Sequence, residues 1–292
     1  MIPLLRSDKL SPSGQRAVFS SLFTNSFTIG AAVLAHSIRR VGVNATLVLL
    51  HLDEGLSPKA LCITQAAGWT NHPVSLLPPP HDGKGVDWRF VEAFTKLKIW
   101  SVGEELGIDS GVFLDADTLV LRDFDEFFSI QWEFGAVPDV YRDERKFAST
   151  FNTGVMAFRP SKHTLEDMKD KIETAVYPPN EGDQSFLNMY FGSKAVRLPY
   201  AYNANMAIKE RSLEVWAELK DTMRILHYTA IKPFWDKSVP KHKLFTPEQV
   251  REINDVRAGK DGGIYREEVG WWRENFEDLM QEKGAAIRGC YS

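Results

Sequence analysis

The chain has 292 residues, of which 43% are hydrophobic and 25% charged, and its formal net charge at pH 7 is -4. This composition is typical of a globular protein, and the missing basic excess argues against a general nucleic-acid or anionic-membrane binder. Length alone allows one large domain or two small ones.

The N-terminal residues and the two cysteines predict no special targeting. Residues 1–16 look like a loose leader without a secretory signal, and no segment approaches the roughly 18 apolar residues of a membrane span. Cys62 and Cys290 lie in no metal-binding spacing, and cysteines so far apart are not expected to form a disulfide framework. We therefore expect a cytoplasmic enzyme or binding protein.

The first half of the chain alternates predicted strands and helices. Apolar runs predict strands over residues 17–23, 43–52, 74–77 and 111–114. Helical spacing and capping residues predict helices over residues 29–40 and 57–68 and within 94–107. This order favours a parallel sheet covered by helices, and such a sheet binds ligands at the carboxyl ends of its strands.

The second half elaborates the same pattern. Further strands are predicted over residues 134–138, 151–160 and 223–229, and helices over 163–177 and 181–192. The tail from residue 246 is predicted helical, with Trp271 and Trp272 as core anchors. We find no internal repeat, so we predict one domain over 17–240 and a helical C-terminal extension, 241–292, packed on it.

Two aspartates follow the strand predicted over 111–114, in GVFLDADTLVLRDFDEFF. On an extended chain Asp115 and Asp117 point to the same side, where two carboxylates repel unless a cation bridges them. Three interpretations compete: an acidic turn before a helix, a phosphatase with an aspartate nucleophile, and a divalent-metal site that holds a diphosphate. The phosphatase is disfavoured because Thr118 stands one place early for that motif and the usual glycine is missing.

A histidine and a lysine favour the metal site. His227 ends the apolar run MRIL, so it too stands at a strand terminus, and Lys232 follows in a basic loop. Mn²⁺ and Mg²⁺ bind oxygen ligands, and Mn²⁺ also accepts an imidazole. The combination HYTAIKPF is less common by chance than a lone histidine.

Several stretches, in the same order, resemble the glycogenin-like members of the family 8 glycosyltransferases. They are SLFTNSFTIGAAVLAHSIR, FTKLKIWSV, FLDADTLVLRDFDEFF, FNTGVMAFRPS, EGDQSFLN, LPYAYN and HYTAIKPF, and together they span about residues 17–235. The resemblance implies an α/β protein of the GT-A fold, a Rossmann-like domain with a mostly parallel sheet flanked by helices. It also implies a UDP-sugar donor and Mn²⁺, with Mg²⁺ as the alternative ion.

Site residues carry over from the resemblance position by position. Asp115, Asp117 and His227 match the metal ligands, and Lys232 matches the lysine that holds the donor diphosphate. Other residues that match the donor-binding part of the family site are Leu22, Thr24, Asn25, Phe27, Arg89, Lys96, Ala116 and Asn152. Asp183 and Gln184 match the polar pair beside the anomeric carbon, and together with Lys232 they are the catalytic candidates.

Plainer roles and two mechanisms stay open at this stage. Asp183 and Gln184 could cap a helix, Lys96 could be an exposed helix lysine, and Asn152 could stabilise a turn. Family members retain the anomeric configuration. Retention needs either a carboxylate nucleophile, for which Asp183 is the only candidate, or attack from the leaving-group side, which we favour.

The chain departs from glycogenin in three places. Residues 204–222, where glycogenin glucosylates its own tyrosine, contain none and instead place Leu213, Trp216 and Leu219 at helical spacing. If exposed, that face would suggest a homodimer; burial within the monomer fits equally well. The loop HYTAIKPF lacks the family's glycine, and Asn180 replaces an acidic residue near the sugar.

These departures shape the predicted function. We expect hexose transfer, with glucose, galactose and N-acetylglucosamine all open, to a separate saccharide, polyol or other small-molecule acceptor. One alternative is self-glucosylation at another tyrosine, such as Tyr202. The other is a nucleotide-sugar-binding protein without turnover.

Overall fold

The computed structural model describes residues 14–129, 132–236 and 239–292, with only the backbone of Arg89. The predicted leader therefore lies outside the described residues up to residue 13, and Arg16 already begins the first strand.

A central mixed sheet organises the described residues. The strands are β1 (Arg16–Leu22), β2 (Thr46–Leu52), β3 (Thr70–Val74), β4 (Ser110–Leu114), β5 (Thr118–Val120), β6 (Phe134–Val140), β7 (Phe147–Phe158), β8 (Val196–Arg197), β9 (Ala204–Asn205) and β10 (Ile225–His227). The main sheet has the order β3-β2-β1-β4-β7-β6-β8, and a small second sheet has the order β5-β10-β9. In the main sheet β3, β2, β1 and β4 run parallel, while β7 is antiparallel to both β4 and β6.

Helices cover both faces of this sheet. They are α1 (Thr28–Arg40), α2 (Pro58–Ala67), α3 (Ile99–Glu105), α4 (Lys162–Ile172), α5 (Asp183–Phe191), α6 (Ala207–Arg211), α7 (Leu213–Thr222), α8 (Pro247–Gly259) and α9 (Arg266–Gly289). One apolar core lies beneath α1, α2 and α9, and a second lies beneath α3, α4 and α5. The predicted mostly parallel sheet flanked by helices is confirmed.

Local chemistry explains why some helix limits were predictable. For α2, the Ser57 hydroxyl accepts a hydrogen bond from Ala60 N, Pro58 occupies the first turn, and Gly68 ends the helix at φ 111°. Thr246 and Gln249 form a reciprocal capping box before α8. These are short-range interactions that the sequence itself encodes.

Several predicted elements shift. The strand predicted over 74–77 lies earlier, at β3, where it pairs with β2. The helix predicted within 94–107 is a 3-10 segment, Ala93–Lys98, followed by α3. The amphipathic segment 204–222 divides into β9, α6 and α7; on α7 Trp216 is buried, whereas Leu213 is 63% exposed. Pairing with β2 decides the limits of β3, and that pairing is not local.

The two cysteines are bonded to each other, which corrects the expectation from sequence. Cys62 on α2 and Cys290 directly after α9 form a disulfide, with Cα atoms 5.7 Å apart across a sequence separation of 228 residues. The expectation was wrong because α9 folds back along α2, where Lys59 Nζ also donates to the Tyr291 carbonyl at 2.6 Å. Separation along the chain therefore did not measure separation in space.

None of the helices in the described part of the chain has the length and apolar character that a bilayer crossing requires. The predicted core anchor Trp272 is buried and packs against Phe234 and Phe276, while Trp271 is half-buried.

Candidate active site

The acidic pair lies in a tight turn between β4 and β5, not on an extended strand as the sequence suggested. Thr118 N and Thr118 Oγ1 both donate to the Asp115 carbonyl, at 3.0 and 2.8 Å. Ala116 is buried in this turn, and its carbonyl packs so closely on α1 that a Cβ at Gly30 would approach it to 2.8 Å. The turn, rather than strand periodicity, brings Asp115 and Asp117 together.

The small sheet delivers the histidine to this turn. β10 pairs antiparallel with β5, in a register that puts His227 opposite Thr118. His227 Nε2 then lies 3.3 Å from Asp117 Oδ1. Asp115, Asp117 and His227 each offer a ligand atom, and these atoms lie within 4.8 Å of one another. Two carboxylates and one imidazole form a donor set that fits a divalent ion such as Mn²⁺.

Two ammonium groups balance the carboxylates. Lys232 Nζ pairs with Asp117 Oδ2, and Lys96 Nζ lies 3.1 Å from Asp115 Oδ1. Burial by itself would raise the pKa of Asp117, but Lys232 and His227 outweigh burial and hold that pKa well below its usual range. Burial dominates at Asp115, whose pKa is raised although Lys96 opposes the shift. The two carboxylates therefore differ in pKa, which is raised at Asp115 and lowered at Asp117.

Lys96 is a buried bridge, which excludes the plainer role of an exposed helix lysine. Its Nζ lies 3.0 Å from Asp183 Oδ2 as well as close to Asp115, and the residue is 5% exposed. Burial would lower the pKa of Lys96, but the two carboxylates raise it. The ammonium therefore stays charged and joins the acidic turn to α5.

Asp183 and Gln184 do not serve as helix caps. Gly182 is the cap residue of α5, at φ 62°. The Asp183 carboxylate instead accepts a hydrogen bond from Thr153 Oγ1 at 3.0 Å and pairs with Lys96. Gln184 Nε2 donates to Asp139 Oδ2 at 2.8 Å, and Gln184 Oε1 accepts from Asn152 Nδ2 at 3.1 Å. Both side chains thus point toward β6 and β7.

Residues predicted to hold the nucleotide lie at the same edge of the sheet. Leu22 ends β1, which runs parallel to β4, so their carboxyl ends share that edge.

The side chains that follow β1 bond to or pack against other parts of the protein. The side-chain amide of Asn25 is bonded at both ends: Nδ2 donates to the His242 carbonyl, and Oδ1 accepts from Ser57 N. Thr24 Oγ1 lies 3.3 Å from Ser26 Oγ. Phe27 packs edge-on against Phe234, with ring centroids 5.3 Å apart. The side chain of Arg89 lies outside the described part.

A polar cleft of about 500 Å³ adjoins the site, and Asp139 is a lining residue that sequence reasoning missed. Its lining residues are Asp139, Val140, Tyr141, Arg142, Asp143, Arg145, Asn152, Asn205, Ala207 and Thr229. The Asp139 carboxylate is buried and also accepts a hydrogen bond from Asn205 Nδ2 at 2.9 Å. A charged residue inside the apolar strand GAVPDV was the available signal. Asn203 lay within the quoted stretch LPYAYN, but its contacts were not foreseeable.

Comparison with known proteins places this geometry in context. A sequence model of the family described as glycosyl transferase family 8 matches residues 91–238, about half of the chain. The chain is 28% identical over 250 residues to inositol phosphorylceramide glucuronosyltransferase 1 of Arabidopsis thaliana, a match covering 77% of this chain and 43% of that protein. It is 26% identical over 225 residues to glycogenin of Neurospora crassa, covering 76% and 32%. The chain thus spans less than half the length of either relative.

Solved structures show the same fold. The crystal structure of the glycosyltransferase GlyE of Streptococcus pneumoniae matches with a TM-score of 0.56 at 19% identity, covering 92% of this chain and 64% of that one. At that identity the likeness shows the fold alone, and it confirms the predicted GT-A architecture.

Proposed function

The chain belongs to glycosyl transferase family 8, and on that premise we propose that it is a retaining, Mn²⁺-dependent transferase that moves a hexose from a UDP-sugar to a separate acceptor. The observation that carries the proposal is the cluster of Asp115, Asp117 and His227 beside the ammonium of Lys232. Metal ligands and a phosphate-binding cation then meet at the carboxyl edge of a parallel sheet, where such folds bind nucleotides.

The bound ion would act as a Lewis acid on the leaving diphosphate. Lys232 pairs with Asp117, and its side chain is 21% exposed. When a donor binds, the ammonium could therefore leave the Asp117 carboxylate and pair with a donor phosphate. Negative charge that grows on the departing diphosphate is then met by a fixed cation. No protein acid is needed to protonate the leaving group.

The surroundings of Asp183 support attack from the leaving-group side. A carboxylate nucleophile must be free to approach the anomeric carbon, yet Asp183 is buried, paired with Lys96 and bonded to Thr153. Held in this way, its negative charge would stabilise an oxocarbenium-like transition state without forming a bond. Gln184 and Asn152 would position hydroxyl groups of the sugar.

A separate acceptor is favoured over self-glucosylation. Tyr202, the alternative target, is 1% exposed; its hydroxyl is bonded to Glu126 and its ring lies 4.4 Å from Phe127. Burial and the Glu126 hydrogen bond raise the pKa of Tyr202. The cleft beside Gln184 presents carboxylate, amide and hydroxyl groups, which suit a polyhydroxyl acceptor such as a saccharide or polyol.

The deciding experiment measures UDP release with Mn²⁺ from UDP-glucose, UDP-galactose, UDP-N-acetylglucosamine and UDP-glucuronate, followed by the mass of the protein. UDP-glucuronate is included because one relative is named a glucuronosyltransferase. Release from one donor with unchanged protein mass supports transfer to an external acceptor, and Asp117→Ala should abolish that release. Added hexose mass would favour the self-glucosylating alternative. UDP–Mn²⁺ binding without release or transfer, across an acceptor panel, would favour a binding protein.

Location and assembly are proposed on separate grounds. A disulfide such as Cys62–Cys290 persists in oxidising compartments, so it opposes the cytoplasmic location that the sequence predicted. Alkylation of thiols in intact cells decides between them: two labelled cysteines support the cytoplasm, and none supports an oxidising compartment. A homodimer through α7, where Leu213 and Val215 are exposed, stays a prediction that light scattering tests.

A further inference from the structure

We propose that Asn203 is a positioning residue that fixes the tautomer of the metal ligand His227, through a hydrogen-bond relay that starts at the backbone of Gly154. The proposal rests on the metal site proposed above. The hydrogen-bond relay consists of Gly154, Asn152, Asn203 and His227, and it is called the amide relay below.

The relay begins with a donor whose identity is certain. The backbone N–H of Gly154 points at Asn152 Oδ1 at 2.9 Å. A backbone N–H can only donate, so the amide oxygen of Asn152 must face it. The other end of the amide agrees, because Asn152 Nδ2 faces Gln184 Oε1 at 3.1 Å. Gln184 is oriented independently by the carboxylate of Asp139, which can only accept.

The next link orients Asn203. Asn152 Oδ1 also contacts the Asn203 side chain at 2.9 Å, and because this oxygen accepts, the Asn203 atom that faces it must be Nδ2. The oxygen of the Asn203 amide is then turned the other way. It lies 3.1 Å from His227 Nδ1.

The last link sets the tautomer. An amide oxygen only accepts, so His227 Nδ1 must carry a proton, and in the neutral ring that can bind a metal Nε2 then keeps its lone pair. Nε2 is the nitrogen that faces Asp117 Oδ1 at 3.3 Å, on the side where the ligand atoms gather. A histidine ligates a metal through an unprotonated nitrogen, and a partner on the other nitrogen typically fixes its orientation.

The fold holds the relay rigidly. Asn203 is 1% exposed, and it precedes β9, which pairs parallel with β10 in a register that sets His227 beside Asn205. The backbone of Gly154 lies against the imidazole: a Cβ there would come within 2.2 Å of His227 Cε1. The ring therefore has little freedom to turn away from Asn203.

The test reads the tautomer and the metal affinity, not turnover. ¹⁵N-histidine NMR of the metal-free enzyme, at a pH high enough for the imidazole to be neutral, should show His227 protonated at Nδ1, with the signal assigned by its loss in His227→Gln. Titration of Mn²⁺ by electron paramagnetic resonance should show affinity reduced about 10- to 100-fold in Asn203→Ala, the range found when such partners are removed. Asn203→Asp keeps an acceptor for Nδ1 and should keep the tautomer, although it loses the hydrogen bond that Asn203 Nδ2 donates to Asn152 Oδ1.

A matched control separates positioning from general damage. Asn275 is also a buried asparagine, whose Nδ2 donates to the Trp271 carbonyl on α9, so Asn275→Ala should bind Mn²⁺ as the wild type does. A neutral wild-type imidazole protonated at Nε2 instead of Nδ1 would overturn the proposal, and so would wild-type Mn²⁺ affinity in Asn203→Ala. If the wild type shows the expected tautomer but transfers no sugar, only the proposed function fails; if it binds no Mn²⁺, the metal site fails while the tautomer still tests the relay.

Discussion

At the residue scale, Gly154 leaves room for His227, a proposed metal ligand, to lie close to the acidic turn. Gly154 lies on β7 where Asp115 N donates to its carbonyl at 2.8 Å, so the strand is bonded to the acidic turn. A side chain there would collide with the imidazole of His227 and with Asn152 Oδ1, at 2.2 and 2.9 Å. The strand cannot retreat without losing its hydrogen bonds.

Gly154→Ala should therefore weaken Mn²⁺ binding by at least tenfold while leaving the main sheet folded, because the histidine must move and the strand cannot. Calorimetric titration with Mn²⁺ measures the loss. Gly135→Ala on the adjacent β6 is the control, since its Cβ would meet Leu198 at an ordinary 3.5 Å. Equal affinities in the two variants would contradict the close packing described for His227.

The buried ammonium of Lys96 is stabilised by two carboxylate partners. The ammonium is shared by Asp115 and Asp183 and lies 4.8 Å from the centroid of the Phe113 ring. Removing it leaves two largely buried carboxylates facing each other without a cation, and loss of one member of a buried ion pair typically costs about 3–5 kcal/mol.

We expect Lys96→Met to lower the free energy of unfolding by about 3 kcal/mol, measured by urea denaturation. Lys98→Met is the matched control two residues along, because Lys98 Nζ donates to Ser75 Oγ at a more exposed position. A Lys96 variant as stable as the Lys98 variant would show that the bridge contributes little to folding. Transfer activity should also fall in Lys96→Met, because Asp183 loses its partner.

At the element scale, α9 connects α6 and α7 to the segment that follows β10. Glu268 is completely buried; its Oε1 accepts hydrogen bonds from Lys209 Nζ at 2.6 Å and from Trp216 Nε1 at 2.9 Å. Its backbone carbonyl accepts from the hydroxyl of Tyr228, the residue after His227. We therefore propose that residues 241–292 are part of the same folding unit as the sheet.

Glu268→Ala should destabilise the protein by about 3 kcal/mol, since Lys209 is left buried without its carboxylate and the indole of Trp216 without its acceptor. Thermal unfolding in a calorimeter measures the change and shows whether one transition remains. Glu267→Ala, which removes a surface pair with Lys220, should change stability by less than about 1 kcal/mol. Two separate transitions in Glu268→Ala would contradict a single folding unit.

At the scale of the whole molecule, the disulfide closes a loop that spans most of the chain. Cys62 and Cys290 are separated by 228 residues, so the bond removes much of the conformational freedom of the unfolded chain. It also holds the end of α9 against α2.

Reduction should lower stability by roughly 2–5 kcal/mol, seen as a lower unfolding midpoint in reductant. The double variant Cys62→Ser, Cys290→Ser should show the same low midpoint with and without reductant. An unchanged wild-type midpoint, with the thiols shown to be free, would mean that the packing of α9 alone sets its position.

The sequence by itself determined the alternation of elements, some of the helix caps and the candidates for metal ligands. These features depend on neighbours along the chain: a capping serine at Ser57, an apolar run that stops at Asp115, a histidine at the end of another run. Only the tertiary structure decided the Lys96 bridge, the amide relay through Asn203 and the Cys62–Cys290 bond. Each joins side chains from distant segments, because strand order and register, rather than spacing in sequence, set which residues meet in space.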